Sequence, residues 1–207
     1  MISGSNPPQW LFWLSVVALT SACASAVLIA ADILRARPQK MPVMNAVWPI
    51  TGLYLGPLAV AAYWIFGRTP ARDQPNGAKR HAAKPFWQVV FTGVCHCGAG
   101  CTLGDFAGEW IVFVTGFTVA SSVLWANFAT DFTLAYLVGI VFQYYAIAPM
   151  RNLSGWPGIQ AAIKADTVSL VAFEIGMFAW MGFADSVLFS PRLDPNSAVY
   201  WFSMQIA

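Results

Sequence analysis

Between Trp10 and Ile33 the chain carries a single charged side chain, Asp32, close to the far end of the run. A helix rises ~1.5 Å per residue, so ~20 apolar residues cross a hydrocarbon core of ~30 Å. A block of that length belongs in the core of a large soluble protein or in lipid. The 207 residues are 58% hydrophobic and 10% charged, with a mean hydropathy of +0.60, whereas a soluble domain carries about 25% charged residues. Too little polar surface remains to cover such blocks in water, and the chain reads as integral to a lipid bilayer.

The remaining blocks are measured against the same ruler. A second span is expected from Val43 to Phe66, separated from the first by Arg35, Arg37, Pro38 and Lys40. A polar basic loop over 68–85 follows, in which His81 reads as a solvated loop residue. The stretch from Phe86 to Asn127 is too long for one span, and Gly104, Asp105 and Gly108 mark where a third span, Phe86 to Gly104, would turn into a fourth. A fifth runs from Asp131 to Met150. After a turn holding Arg151, Gly155 and Pro157, Ile159 to Lys164 is expected at the interface and a sixth span from Asp166 to Phe189.

The expected fold is therefore all-α, a polytopic transmembrane bundle of about six helices. It divides into two N-terminal spans (1–67), the loop (68–85), a four-helix core (86–190) and an interfacial tail (191–207), whose Tyr200, Trp201 and Phe202 are of the type that settles at headgroup depth.

The start of the chain has no Lys or Arg and its first block is of full spanning length, so that block reads as an anchor and not a cleaved leader. Three basic residues follow the first span and five follow the second. Two crossings would put these groups on opposite faces and leave orientation open. Ala18, Ala22 and Ala26, with Ser21 and Ser25 beside them, recur at four-residue spacing as a close-packing face; Cys23 reads as one more small residue among them.

Chemistry concentrates in Gly93-Val94-Cys95-His96-Cys97-Gly98-Ala99-Gly100-Cys101, which holds three of the four cysteines and one of the two histidines. Thiolate and imidazole suit Cu(I), Zn(II) or an iron centre better than Mg or Ca. At mid-span such groups are costly, and by default they mark function. On a regular helix Cys97 and Cys101 share a face while Cys95 and His96 project elsewhere. Either a break at Gly98 and Gly100 brings the four together, or other helices complete the site.

Completing ligands exist. Asp105 and Glu109 continue from Cys101 in steps of four, and Glu174, Met177 and Met181 share one face of the last span. Asp131, Gln143 and Asp166 are further inward-facing polar candidates, with helix capping as the plainer reading of the two aspartates. Taken alone, buried thiols can be packing groups and Met177 and Met181 core filler. A mid-membrane Glu174 must be protonated, hydrogen-bonded or paired. The soluble-protein motifs are absent: no phosphate loop, no dinucleotide fingerprint, no His-Glu-x-x-His, no Cys-x-x-Cys. Basic residues are not interleaved with exposed aromatics, and nucleic acid is set aside.

The string Cys95 to Asp105, with Phe142-Gln143-Tyr144 to Pro149-Met150 and Lys164-Ala165-Asp166-Thr167 to Phe173-Glu174-Ile175-Gly176-Met177, is similar to a bacterial family of multi-spanning membrane proteins classed as a domain of unknown function. The resemblance covers Phe86 to Phe189. It implies a helical membrane fold, a bacterial inner-membrane setting and one structural unit, and supplies no mechanism.

Three functions follow as expectations. The first is binding of copper or zinc through Cys95, His96, Cys97, Cys101, Asp105, Glu109, Glu174, Met177 and Met181, for transport, delivery or sensing and not for catalysis. The second is a non-catalytic subunit of a larger membrane complex, a homo-oligomer included, suggested by 15% aromatic residues. The third is thiol-disulfide exchange by two of Cys95, Cys97 and Cys101. A proton-coupled carrier using Glu174 and Asp105 has no substrate signature.

Overall fold

The computed structural model describes residues 7–69, 85–189, 193 and 195–207. It is all-α: α1 (Gln9–Arg35), α2 (Met44–Leu55), α3 (Pro57–Ala62) running on into a π-turn at Tyr63–Gly67, α4 (Phe86–Thr115), α5 (Val123–Met150), α6 (Gly155–Phe183) with a π-turn at Ala184–Leu188, and α7 (Ala198–Ile206). Four helices, α1, α4, α5 and α6, are long and apolar enough to cross a membrane. Their outward residues are Val17, Val27, Leu28, Ile111, Val141 and Ile175, while Asp105, Glu109, Asp131, Asp166 and Glu174 are buried. Apolar outside and acidic inside is the arrangement lipid imposes as solvent.

The all-α class stands as expected, but the count of six spans does not. The block from Val43 to Phe66 is not one helix. Its first half, α2, ends at Gly56, whose φ of 56° only glycine adopts without strain, and α3 then doubles back. Trp48, one turn into α2, packs edge-on against Tyr63 and Phe66 at the far end of the block. The Tyr63 hydroxyl donates to Asp32 (2.9 Å), near the end of α1 where α2 also begins. The segment enters and leaves by one face. Gly56 at its tip lies against Ala22 and Ser21, midway along α1, and Gly52 against Ala26. The small-residue face of α1 thus seats a re-entrant hairpin. Cys23 is exposed and lies off that face.

The second correction concerns Phe86 to Asn127. A single helix, α4, runs unbroken to Thr115, and the reversal comes at Gly116 to Ser122. Gly104 and Gly108 do not break it. With Gly100 they lie on the contact with α5: Gly100 meets Gly139, Gly104 meets the backbone of Ala135, and Gly108 meets Asp131. In lipid, where lipid tails compete for apolar contact, glycine is a residue that lets backbones approach. α6 then returns antiparallel to α5, joined by Tyr136 to Thr167 (3.0 Å) and by stacked Phe128 and Phe178 (4.4 Å). It starts at Gly155, so Ile159 to Lys164 are its first turns and not a separate interfacial segment.

The tail is helical too. Tyr200 is buried with Leu11, Leu193 and Val199, and Trp201 stacks on Trp110 of α4. This segment packs against α1 and α4. His81 and most of the 68–85 loop lie outside the described residues.

Candidate functional site

The inner face of α4 carries Cys97, Cys101, Asp105 and Glu109 in successive turns, all buried. Four residues on a helix advance ~6 Å, so the row is ~18 Å long. It faces two helices that contribute carboxylates of their own, and the groups meet in layers.

In the lowest layer His96 hydrogen-bonds through Nδ1 to the Thr92 carbonyl (2.8 Å), and its Nε2 is buried without a partner. Asp166 lies within electrostatic reach of it, against the Cys97 thiol, and accepts from Gln143 Nε2 (3.2 Å). Above this, Cys101 sits beside Cys97 and against Glu174. Asp105 comes next, facing Glu174 and Glu109. In the top layer the Asn127 amide donates to Glu109, and Asp131 faces Glu109. Cys95 points away from the column, to Thr51 and Tyr54 of the hairpin.

Two of the carboxylates owe their places to glycines on a neighbouring helix. A Cβ at Gly108 would overlap Asp131 Oδ1, and one at Gly139 would overlap Asp166 Oδ2. The acids occupy the space that the missing side chains leave. Asp131 and Asp166 lie well inside α5 and α6, which replaces the capping reading with a place in the column.

No Lys or Arg is among the buried residues described. Five carboxylates therefore share the interior with one imidazole and two thiols. In an apolar medium each must be neutral, hydrogen-bonded or matched by a cation.

The expected site residues are thus partly brought together. His96, Cys97, Cys101, Asp105, Glu109 and Glu174 line one column. Cys95 does not join it, because the helix stays regular through Gly98 and Gly100 and the expected break is absent. Met177 and Met181 are buried beyond Glu174, and Met181 lines a small cavity with Tyr200 and Leu193, away from the cysteines. Among the described residues no three of the His, Cys, Asp and Glu side chains converge as a closed metal cage. All four cysteines are free thiols.

Asn127, Thr51 and Tyr54 were not singled out by sequence. Asn127 stands four residues before Asp131, a spacing that signals a shared face. Nothing in the sequence signals Thr51 or Tyr54, because the fold of the hairpin alone brings them to Cys95.

A second cavity, of about 210 Å³, opens at the top of the column, with Glu109 and Asn127 in its wall together with Val112, Val123, Leu193 and Tyr200. At the other end Tyr144 packs onto Gly158, and Ala146, Ala148 and Ala162 are buried.

No curated protein and no solved structure matches the chain. Residues 86–207, more than half of the chain, match the family described as the domain of unknown function DUF4396. That match begins where α4 begins and takes in α4, α5 and α6, the helices that build the column, together with α7, so the chain belongs to the DUF4396 family, with the re-entrant hairpin and α1 preceding the family unit.

Proposed function

We propose that the column is a path for a soft or borderline metal cation, Cu(I) or Zn(II), through a multi-pass membrane protein. One observation carries the reading: five buried carboxylates, with two thiols and an imidazole along the same row, have no buried Lys or Arg among the described residues to balance them. The donor types grade along the path. Imidazole and thiols lie at the His96 end, beside the Asp166 carboxylate, and suit a soft ion there, whereas the Glu109 end carries oxygen donors without thiols.

The absence of a closed cage bears on the kind of function. Three or four converging ligands hold an ion for structure or storage. Successive layers of donors that do not close into a cage favour movement, since an ion that is to pass must be bound well enough to enter and weakly enough to leave. The reading is therefore passage or delivery.

The test is metal analysis of the purified protein, followed by Cu(I) and Zn(II) titration of the native chain and of Cys97→Ser/Cys101→Ser. Uptake by the native protein that is lost in the double variant is expected. Uptake of neither ion by a folded native protein overturns the reading.

A further inference from the structure

The cavity at the top of the column and the distribution of basic residues bear on how the column is reached. The second is set by the re-entrant hairpin.

Because α2 and α3 enter and leave by one face, the loop after α1 and the loop after the hairpin lie on the same side. Arg37 and Thr69 join them directly, the Arg37 guanidinium donating to the Thr69 carbonyl (2.8 Å) and the Thr69 hydroxyl to the Arg37 carbonyl (3.1 Å). α4 starts on this side as well, with Trp87 and Phe91 against Phe66, and α5 ends and α6 begins there. Of the 11 Lys and Arg in the sequence, Arg35, Arg37 and Lys40 follow α1, and five more lie from Arg68 to Lys84, a segment whose two flanks are on this side. Arg151 and Lys164 flank the α5–α6 turn. The remaining one, Arg192, stands in the sequence between α6 and α7 and lies outside the described residues. Lys and Arg in short loops are retained on the cytoplasmic side. The conflict between the two basic loops disappears once the second span becomes a hairpin.

The cavity lies at the opposite face. α4 ends there, α5 begins there, and Leu193 and Tyr200 arrive from the C-terminal segment. Its volume is enough for several waters. Asn127 and Glu109 border the cavity, both almost fully buried, with the Asn127 amide donating to Glu109. Its wall is mostly apolar, with Val112, Phe113, Val123, Leu193 and Pro195, and the Glu109–Asn127 pair stands between it and the rest of the column.

We infer that this cavity is the outer mouth of the column and that it faces away from the cytoplasm, so that a cation received there from outside enters past Glu109 and Asn127 and passes inward toward the thiols. This rests on the cation reading for the identity of the occupant, and on the charge distribution and the cavity for the direction. The cytoplasmic end is closed in this state by the packing of Tyr144 on Gly158.

The test is cysteine labelling of the full chain, with a charged, membrane-impermeant maleimide applied to sealed vesicles of right-side-out and inside-out orientation. Val112→Cys places a thiol in the cavity wall, Gln39→Cys one in the basic loop after α1, and Ala162→Cys one at the closed end; the native chain is the blank for its own thiols. Expected is gain of one label by Val112→Cys from the outside only, by Gln39→Cys from the cytoplasmic side only, and none by Ala162→Cys. Labelling of Val112→Cys from the cytoplasmic side, or no labelling of a variant that elutes as the native protein does, overturns the inference. The labelling needs no metal. A mouth that labels from outside in a protein that binds neither Cu(I) nor Zn(II) would remove the cation as its occupant and keep the mouth, whereas a cytoplasmic mouth in a metal-binding protein would remove the direction alone.

Discussion

The side-chain amide of Gln205, on the last helix, donates to the main-chain carbonyl of Leu53 in the re-entrant hairpin (2.8 Å). In a continuing helix that carbonyl would accept from the amide four residues on, but that residue is Pro57, which has no N–H. α2 comes in from one face and α7 from the other, and the bond joins them near the tip of the hairpin. Where this surface faces hydrocarbon, no water replaces the bond. Gln205→Leu is expected to cost about 0.5–2 kcal/mol, measured as a lowered midpoint of unfolding in mixed micelles. An unchanged midpoint would show that the carbonyl finds another donor.

A second prediction concerns the α4–α5 contact. A Cβ at Gly104 would overlap the backbone of Ala135, which has no rotamer to yield. Gly104→Ala should therefore push the helices apart and cost about 1–3 kcal/mol, the range for overpacking. Gly93 and Gly176 have nothing within 4 Å of the same position, so Gly93→Ala and Gly176→Ala should be neutral or slightly stabilising, by under about 1 kcal/mol. Equal effects at all three positions would mean that the glycines act through backbone flexibility and not through contact.

This contrast explains what could be read from the sequence. The length and apolar character of α1, α5 and α6 report directly on lipid as solvent, and the four-residue spacing of Cys97, Cys101, Asp105 and Glu109 reports on a shared helix face. Gly104 and Gly108 were misread because glycine carries two opposed signals, a turn in water and a close contact in lipid, and nothing local separates them. Val43 to Phe66 was misread for a related reason. Its hydropathy is that of one span, and the Gly56–Pro57 pair inside it, with the positive φ of Gly56 and the missing N–H of Pro57, turns it into a hairpin.

The base of the hairpin depends on Asp32, whose carboxylate accepts from Arg68 Nε (3.0 Å) and NH2 (2.6 Å) and from the Tyr63 hydroxyl. The two bonds from Arg68 use the planar fork of the guanidinium, which a lysine cannot reproduce. Arg68→Lys should lower thermal stability in detergent less than Arg68→Ala, without restoring the native value. Asp32→Asn should resemble Arg68→Ala, and combining the two changes should cost less than the sum of their separate effects. Additive losses would show that Asp32 and Arg68 act independently.

The last prediction separates placement from ligation. Gly139 is not a donor, but the absence of a side chain there makes room for Asp166, and an added Cβ would meet Asp166 Oδ2 and stand 3.1 Å from Leu170 Cδ1. Gly139→Ala should turn the Asp166 carboxyl away from Gln143 and from the His96 and Cys97 layer, at a cost in stability of about 1–3 kcal/mol. If that layer holds the soft end of the path, Cu(I) affinity measured by competition with a chelator should fall in Gly139→Ala and stay at the native value in Gly176→Ala, although neither substitution removes a ligand. The oxygen donors of the Glu109 layer are untouched by either change, so weak Zn(II) binding at that end should persist. A folded Gly139→Ala protein with native Cu(I) affinity would place Asp166 outside the site and confine the soft end to donors carried by α4.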